Sequence, residues 1–230
     1  MKKITLTALA LCAFAFTQAQ DIKFGAKAGL NLANLTTDYG NFDGYSNDNK
    51  MKPGFHVGGF VEIKISDKFA IQPEVLYSLQ GTKVKSSEAD FDGYSFSSED
   101  KISLSYINVP VMVKFYPIEK LFIEAGPQVG FLISAKNKSE YTETDGDVTT
   151  SASTDVDVKD AYKSIDFGVN VGAGYEFTEN LFASIRYNIG LSDIAEDGNN
   201  DEDLDVDLGA YGSYFKTRNS VLSISLGYKF

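Results

Sequence analysis

The chain has 230 residues, with 17 phenylalanines, 13 tyrosines, 20 glycines, one cysteine and a formal net charge of −11. This acidic balance argues against nucleic acid as a partner, because phosphate binding requires a surplus of lysine and arginine. No Walker or dinucleotide-binding glycine loop is found between a strand and a helix, and no segment after residue 19 is long and apolar enough for a transmembrane helix.

The first 19 residues are predicted to be a secretory signal peptide. Two lysines precede an apolar run at 4–16, and small residues favour cleavage after Ala19. The run is too short for a membrane anchor, and the residue before Cys12 is not the small one that lipidation requires. We therefore expect residues 20–230 to form one mature domain without disulfides, in which 19 basic residues face 32 acidic ones.

The mature chain is predicted to contain eight β-strands and almost no helix. Apolar and polar residues alternate clearly, as in IDFGVNVGAGYEF at 165–177 and LFASIRYNIGL at 181–191. Each strand is long enough to cross a bilayer at a tilt, which takes about 9–11 residues. The predicted strands are 24–35, 54–65, 69–83, 102–116, 121–136, 164–177, 181–191 and 216–230.

The connections between these strands alternate between short and long. Such alternation is typical of an up-and-down membrane barrel. A soluble lipocalin-like barrel or a sandwich is the alternative, with its apolar face turned inward. The short turns are 66–68, 117–120 and 178–180, and the long connections are about 36–53, 84–101, 137–163 and 192–215.

Charge and glycine distinguish the two kinds of barrel. The apolar face of the strands has no charged residue at its centre, whereas the opposite face carries both charges and many glycines. Glycine weakens a solvent-exposed strand but suits the crowded interior of a narrow barrel. We therefore expect an all-β, eight-stranded antiparallel transmembrane barrel with its apolar face on lipid. An aromatic girdle is predicted at the short-turn end, formed by Phe24, Phe69, Phe115, Phe177, Tyr228 and Phe230.

Several segments resemble the outer-membrane β-barrel domain family of Gram-negative bacteria. They are the signal peptide, YINVPVMVKFYP at 106–117, the paired GAGYEF and SIRYNIGL segments, and the terminal LGYKF. The resemblance covers essentially all of 20–230 and implies a barrel similar in architecture to OmpA and OmpX. It also implies contact with outer-membrane lipid and lipopolysaccharide, and periplasmic termini. Tyr228 and Phe230 resemble the C-terminal signal read by the barrel assembly machinery, which is an implied partner.

The inward face is predicted to hold a charged network. Side chains just fill the interior of an eight-stranded barrel, and bases and acids are nearly balanced on this face, which also includes Lys136 and Asp166. A narrow porin for small ions or solutes remains the alternative, because the inward glycines leave room. The predicted network consists of Lys27, Glu62, Lys64, Glu74, Lys114, Glu124, Glu176, Arg186 and Lys229.

His56 is the only histidine and is predicted to face the lumen. Ser78 and Glu74 face inward on the next strand, so a lipid-modifying enzyme with a catalytic triad is a third interpretation. A polar lumen histidine is the simpler one. We predict no catalytic, cofactor-binding or metal-binding residue.

The long connections hold 23 of the 32 acidic residues and are densest in DIAEDGNNDEDLDVDLG at 193–209. An EF-hand loop beginning at Asp197 would have Glu202 and Leu208 where glycine and glutamate are required. The segment therefore predicts at most a weak divalent-cation site in solvated loops.

The motif FDGYS occurs twice, at 42–46 and 91–95. A repeated Asp-Gly turn explains it most simply. The alternative hypothesis is a contact patch for an extracellular partner, formed by Phe42, Tyr45, Phe91 and Tyr94.

Pro73, Pro110 and Pro127 fall within predicted strands. A closed barrel has no free edge at which a missing backbone donor is harmless. We therefore expect bulges or register shifts at these three positions.

Overall fold

The computed structural model describes residues 21–38, 49–89, 94–145, 148–196 and 216–230. The predicted signal peptide lies outside these ranges. One 3-10 turn, Lys159–Ala161, accompanies the strands, and no helix in the described ranges could cross a membrane. The strands are β1 (Ile22–Asp38), β2 (Asn49–Ser66), β3 (Phe69–Ala89), β4 (Tyr94–Ile118), β5 (Leu121–Asp145), β6 (Val148–Asp157), β7 (Ile165–Glu176), β8 (Leu181–Gly190) and β9 (Lys216–Lys229).

Eight of these strands close into an antiparallel ring. Each strand from β1 to β5 pairs with the next, β5 then pairs with β7, and β7, β8 and β9 follow in order. The ring closes between β9 and β1, which pair from Gly25–Lys229 to Asp38–Lys216. The predicted eight-stranded up-and-down barrel is confirmed. We call the end with the β2–β3, β4–β5 and β7–β8 turns the short-turn end, and the opposite end the long-loop end.

The strands β1 to β5 all continue beyond their predicted limits at the long-loop end, β3 to β5 by the most. Much of 84–101 and 137–163, predicted as connections, is strand: β3 and β4 are longer, and β5 and β6 form a hairpin paired from Lys136–Asp157 to Asp145–Val148. These extensions are polar on both faces, as in VTTSASTDVD of β6. Their sequences therefore lack the apolar alternation that identifies a half-buried strand.

The apolar side chains face outward along the barrel strands. On β9, Ile224, Leu226 and Tyr228 are exposed, whereas Ser225 and Lys229, which have the opposite parity, are buried. A wall of this kind suits acyl chains rather than water. All six residues of the predicted girdle are exposed at the short-turn end, namely Phe24, Phe69, Phe115, Phe177, Tyr228 and Phe230.

The bulges expected at three prolines are not found in the described strands, so that prediction is wrong. The register continues unbroken through each proline, because the long flanking ladders hold it and one missing donor removes only a single hydrogen bond. The paired residues are Pro73 and Val111, Pro110 and Gln128, and Pro127 and Val169.

Register shifts occur at four other places in the described strands. Two adjoin short turns, between Lys64 and Ser66 on β2 and between Phe115 and Ile118 on β4. A third lies between Met51 and His56 on β2, a stretch that includes Pro53. The fourth lies on β5, where Leu132 and Ser134 are opposite consecutive residues of β4. This fourth shift adds one residue to β5 and reverses its parity, so that Lys136 is exposed on the outer wall rather than inward as predicted.

Candidate functional site: the barrel lumen

Inward side chains lie in layers along the barrel axis. At the short-turn end lies an aromatic floor, formed by Phe60, Tyr116, Phe122 and Phe182 around Ala70. At the long-loop end lies an apolar cap, formed by Leu35, Leu104, Tyr106, Leu132, Ala135 and Ile194. Charged and amide side chains occupy the space between the floor and the cap.

The first charged layer adjoins the floor, and we call it the Glu62 tier. Lys229 Nζ lies 2.6 Å from Glu62 Oε1 and 2.6 Å from Glu176 Oε1, and Lys114 Nζ lies 2.9 Å from Glu62 Oε2. The Tyr116 hydroxyl donates to the carboxylates of Glu62 and Glu176 at 3.3 and 2.9 Å. Two ammonium groups therefore balance two carboxylates.

The floor also contacts the cations of this tier. Lys114 Nζ lies 4.2 Å from the ring centroid of Phe122 and 4.7 Å from that of Phe182. The ring centroids of Phe60 and Phe122 lie 5.6 and 5.9 Å from that of Phe182, with edge-to-face geometry. Such contacts favour a buried cation beside an aromatic face.

Three inward glycines make room for the floor. A Cβ atom on Gly227 would lie 2.2 Å from Cζ of Phe182, far inside van der Waals contact. The phenyl ring therefore lies directly on the backbone of the neighbouring strand. Equivalent contacts join Gly25 to Phe60 and Gly174 to Phe122.

The second charged layer is the Glu74 tier, in the middle of the barrel. The Glu74 carboxylate accepts hydrogen bonds from Arg186 at 2.8 and 3.1 Å and from Gln72 at 2.7 Å, and lies 3.0 Å from Lys27 Nζ. Arg186 Nε donates to Glu124 at 2.9 Å. All of these residues are buried, and two bases again balance two acids.

His56 lies above the Glu74 tier among amide and hydroxyl groups. Its Nδ1 is 2.8 Å from Asn31 Oδ1, and its Nε2 is 2.8 Å from Ser225 Oγ. Ser78 instead accepts a hydrogen bond from Asn31, and Glu74 is held by its two cations. The structure therefore does not assemble the triad of His56, Ser78 and Glu74.

A polar cavity of about 30 Å³ adjoins His56. Such a volume is sufficient for water but not for a larger solute. Its lining includes Lys27, Asn31, Ser78, Gln128, Asn170, Arg186 and Asn188.

One residue of the cap, Ile194, comes from outside the ring. Ile194 follows β8 and is fully buried, and its backbone bonds to Lys163 and Thr217 at 2.8 and 2.9 Å. The start of the last long connection thus folds over the lumen. This cap was missed in the sequence, because one isoleucine among acidic residues gives no periodic signal.

Every residue of the predicted network except Lys64 takes part in one of the two tiers. Lys64 is half-buried and lines an open vestibule of about 660 Å³ at the short-turn end, with Lys23, Glu119 and Lys120 among its neighbours. Lys64 has the inward parity of Glu62, but it lies two residues nearer the short-turn end, and no ion pair joins it to a carboxylate of either tier.

The remaining predicted sites lie at the ends of the barrel. Phe42, Tyr45 and Phe91 are outside the described residues, and Tyr94 is described only as the first residue of β4. The acidic segment 193–209 is described only as far as residue 196. Within the described part of the chain, no three acidic or histidine side chains converge as a metal site would require.

Comparisons with known proteins identify the class of barrel. A family described as "Outer membrane protein beta-barrel domain" matches residues 18–196. A search of curated proteins gives no match.

Three solved structures are similar to this chain at low identity. Ail, the attachment invasion locus protein of Yersinia pestis, is 12% identical, with a TM-score of 0.41 over 90% of this chain and 98% of its own. Neisserial surface protein A is 17% identical, with a TM-score of 0.39 over 90% and 97%. OprG from Pseudomonas aeruginosa is 11% identical, with a TM-score of 0.37 over 92% and 97%.

Proposed function

Because the chain belongs to the outer membrane protein β-barrel domain family, we propose that it is a non-enzymatic outer-membrane protein whose lumen is closed by its own side chains. The observation that carries this proposal is the pair of charge-balanced tiers stacked between the aromatic floor and the apolar cap. With the lumen closed, the protein has a structural role or a surface-interaction role that is carried by its long-loop end.

The tiers oppose ion passage for an energetic reason. A hydrated ion in the lumen would have to separate Glu74 from Arg186 and Lys27, or Glu62 from Lys114 and Lys229. Each separation leaves a buried charge without its partner, at a cost of several kcal/mol. The alternative function, a narrow porin, requires the tiers to rearrange spontaneously.

The surroundings of His56 support a role without catalysis. Both ring nitrogens are engaged by neutral groups, Asn31 and Ser225, and no carboxylate in the described ranges bonds to the ring. A nucleophilic serine needs a base that is free to accept its proton and a third group to orient that base.

We place the short-turn end in the periplasm and the long-loop end outside the cell, as in other barrels of this kind. The exposed Tyr228 and Phe230 at the short-turn end are then accessible to the barrel assembly machinery during insertion. The long connections, with most of the acidic residues, then face the medium, where a weak divalent-cation site and an extracellular partner remain proposals.

The closed lumen predicts an electrically silent protein. The purified barrel, refolded into planar bilayers at two salt concentrations, should produce no discrete current steps, because the Glu62 and Glu74 tiers occupy the passage. A large water-filled porin in the same bilayers serves as the positive control, and the altered gel mobility of unheated samples shows that the barrel has folded. Steps whose size scales with salt would contradict the proposal and favour the narrow porin.

The orientation predicts a pattern of chemical labelling. The mature chain has no cysteine once the predicted signal peptide is removed, so Ser151→Cys on exposed β6 and Asp67→Cys in the β2–β3 turn each introduce one thiol. A membrane-impermeant maleimide added to intact cells should label the Ser151→Cys variant. The Asp67→Cys variant should react only after the outer membrane is permeabilised. The reverse pattern would show that the assigned orientation is wrong.

A further inference from the structure

Four lysines lie side by side on one rung of the barrel wall at the long-loop end. Lys50 on β2 is opposite Lys83 on β3, Lys83 is opposite Lys101 on β4, and Lys101 is opposite Lys138 on β5. We call Lys83, Lys101 and Lys138, on the three strands β3 to β5, the lysine rung. Like charges directly opposite each other on neighbouring strands destabilise a sheet, so this arrangement needs anions to compensate it.

The protein supplies only part of that compensation. On the next rung, Glu99 accepts hydrogen bonds from Lys101 at 2.7 Å, from Lys83 at 2.6 Å and from Lys85. These bonds lower the pKa of Glu99, so it is a carboxylate at neutral pH. Glu140 pairs with Lys138 at 2.6 Å and with Lys101 at 3.4 Å. Four ammonium groups thus share two carboxylates.

The positive surplus is local and faces outward. Lys85 and Lys138 are about half exposed, at 47% and 49%, in a chain whose net charge is −11. The parity of β4 is the same for Lys101 as for the outward apolar residues Ile107 and Val113. Acidic residues border the rung on β6, where Asp155 is opposite Lys138.

The height of the rung above the apolar wall indicates the partner. Lys83 follows the outward Leu79 by four residues, about 13 Å along a strand and roughly 10 Å along the membrane normal for a tilted strand. Phospholipid headgroups extend only about 5–8 Å beyond the hydrocarbon core. The phosphorylated sugars of lipopolysaccharide extend further. Only Gly81, Ser103 and Ser105 face outward between the apolar wall and the rung on β3 and β4.

We propose that the lysine rung, with Lys85, binds phosphate groups of lipopolysaccharide in the outer leaflet. Ammonium groups are well suited to this task, since each offers three donors on a flexible stem to a phosphate anion. This proposal rests on the proposed function in one respect, namely that the long-loop end faces the outside of the cell.

The binding surface can be tested with purified protein in detergent micelles. Lipopolysaccharide should raise the thermal unfolding midpoint of the wild type, and dephosphorylated lipopolysaccharide or phosphatidylglycerol should raise it much less. The variant Lys83→Gln/Lys101→Gln/Lys138→Gln should lose at least half of the shift. The matched control Lys23→Gln/Lys68→Gln/Lys120→Gln, which changes as many lysines at the short-turn end, should keep it.

Three results would overturn the proposal. They are an unchanged shift in the lysine-rung variant, an equal shift with dephosphorylated lipopolysaccharide, or an equal shift with phosphatidylglycerol. The comparison of lipids uses wild-type protein alone, so it decides the question even if the triple variant does not fold. Micelles present lipid to both ends, so the result does not depend on orientation in the cell. If the labelling experiment reverses the barrel and the lipid shift persists, only the orientation fails.

Discussion

Replacement of Glu74 by glutamine is expected to destabilise the folded barrel by about 3–5 kcal/mol, because it leaves buried charge without a partner. Among the residues that the structure describes, Glu74 is the only carboxylate bonded to Lys27 and one of the two bonded to Arg186. Glutamine keeps the volume of the side chain and its hydrogen-bonding capacity. The loss therefore reports the missing charge rather than a cavity.

The matched control is Glu99→Gln. Like Glu74, Glu99 pairs with more than one cation, in this case three lysines. It lies on the outer wall, however, where water can solvate those lysines when the carboxylate is removed. Urea-induced unfolding in lipid vesicles should show a large loss for Glu74→Gln and a much smaller one for Glu99→Gln. Equal losses would mean that the cost of removing the Glu74 carboxylate does not depend on its burial.

A second substitution should recover part of the lost stability. In the double variant Glu74→Gln/Lys27→Met, the tier keeps Arg186 and Glu124, which are bonded at 2.9 Å and balance each other. The double variant should therefore be more stable than Glu74→Gln alone. If Lys27→Met instead adds a further loss, the cost of Glu74→Gln does not arise from an unpaired ammonium group.

The sequence predicts which face of a strand carries such charges, because strand parity is a local property. Alternation in LFASIRYNIGL places Arg186 on the polar face of its strand, independently of the other strands. Its partners could not be inferred in this way. Glu74 is 112 residues away, and which carboxylate reaches the level of Arg186 depends on the tilt and stagger of the closed barrel.

A bulge changes which face the later residues of the same strand occupy, so parity predicts the face only as far as the bulge. Glu124 and Lys136 have the same parity in β5, yet Glu124 is buried and Lys136 is exposed, because the extra residue near Leu132 lies between them. No glycine or proline marks this bulge in the sequence. The prolines at which the sequence predicts bulges, such as Pro110, lie in regular register.

The sequence also contains a signal for the aromatic floor. Phe60, Phe122 and Phe182 occupy the polar parity of their strands, where a large apolar residue is out of place on a solvent-exposed or channel-lining face. Inward glycines alone predict only a crowded interior. Each of three glycines lies under one of these rings, so aromatic and glycine positions of the same parity together predict a packed floor.

The contact between Phe182 and Gly227 should give a strong coupling in a double-mutant cycle. Phe182→Ala alone removes a fully buried ring and is expected to cost about 3–5 kcal/mol. Gly227→Ala alone forces a methyl group against that ring, and overpacking of this kind costs about 1–3 kcal/mol. The backbone at Gly227 is compatible with alanine, since the nearest atoms that a Cβ would meet all belong to the Phe182 ring.

In the double variant the two changes should compensate each other. Once the ring is absent, the methyl group at position 227 has space and fills part of the cavity, so the double variant should be more stable than Phe182→Ala alone. Gly59→Ala is the control, because its nearest neighbour would lie at 3.6 Å, and its effect should be small in either background. Unfolding free energies measured in vesicles give the coupling directly. Additive losses for Phe182 and Gly227 would show that the ring does not lie on the β9 backbone, and the floor would then be too loose to close the short-turn end.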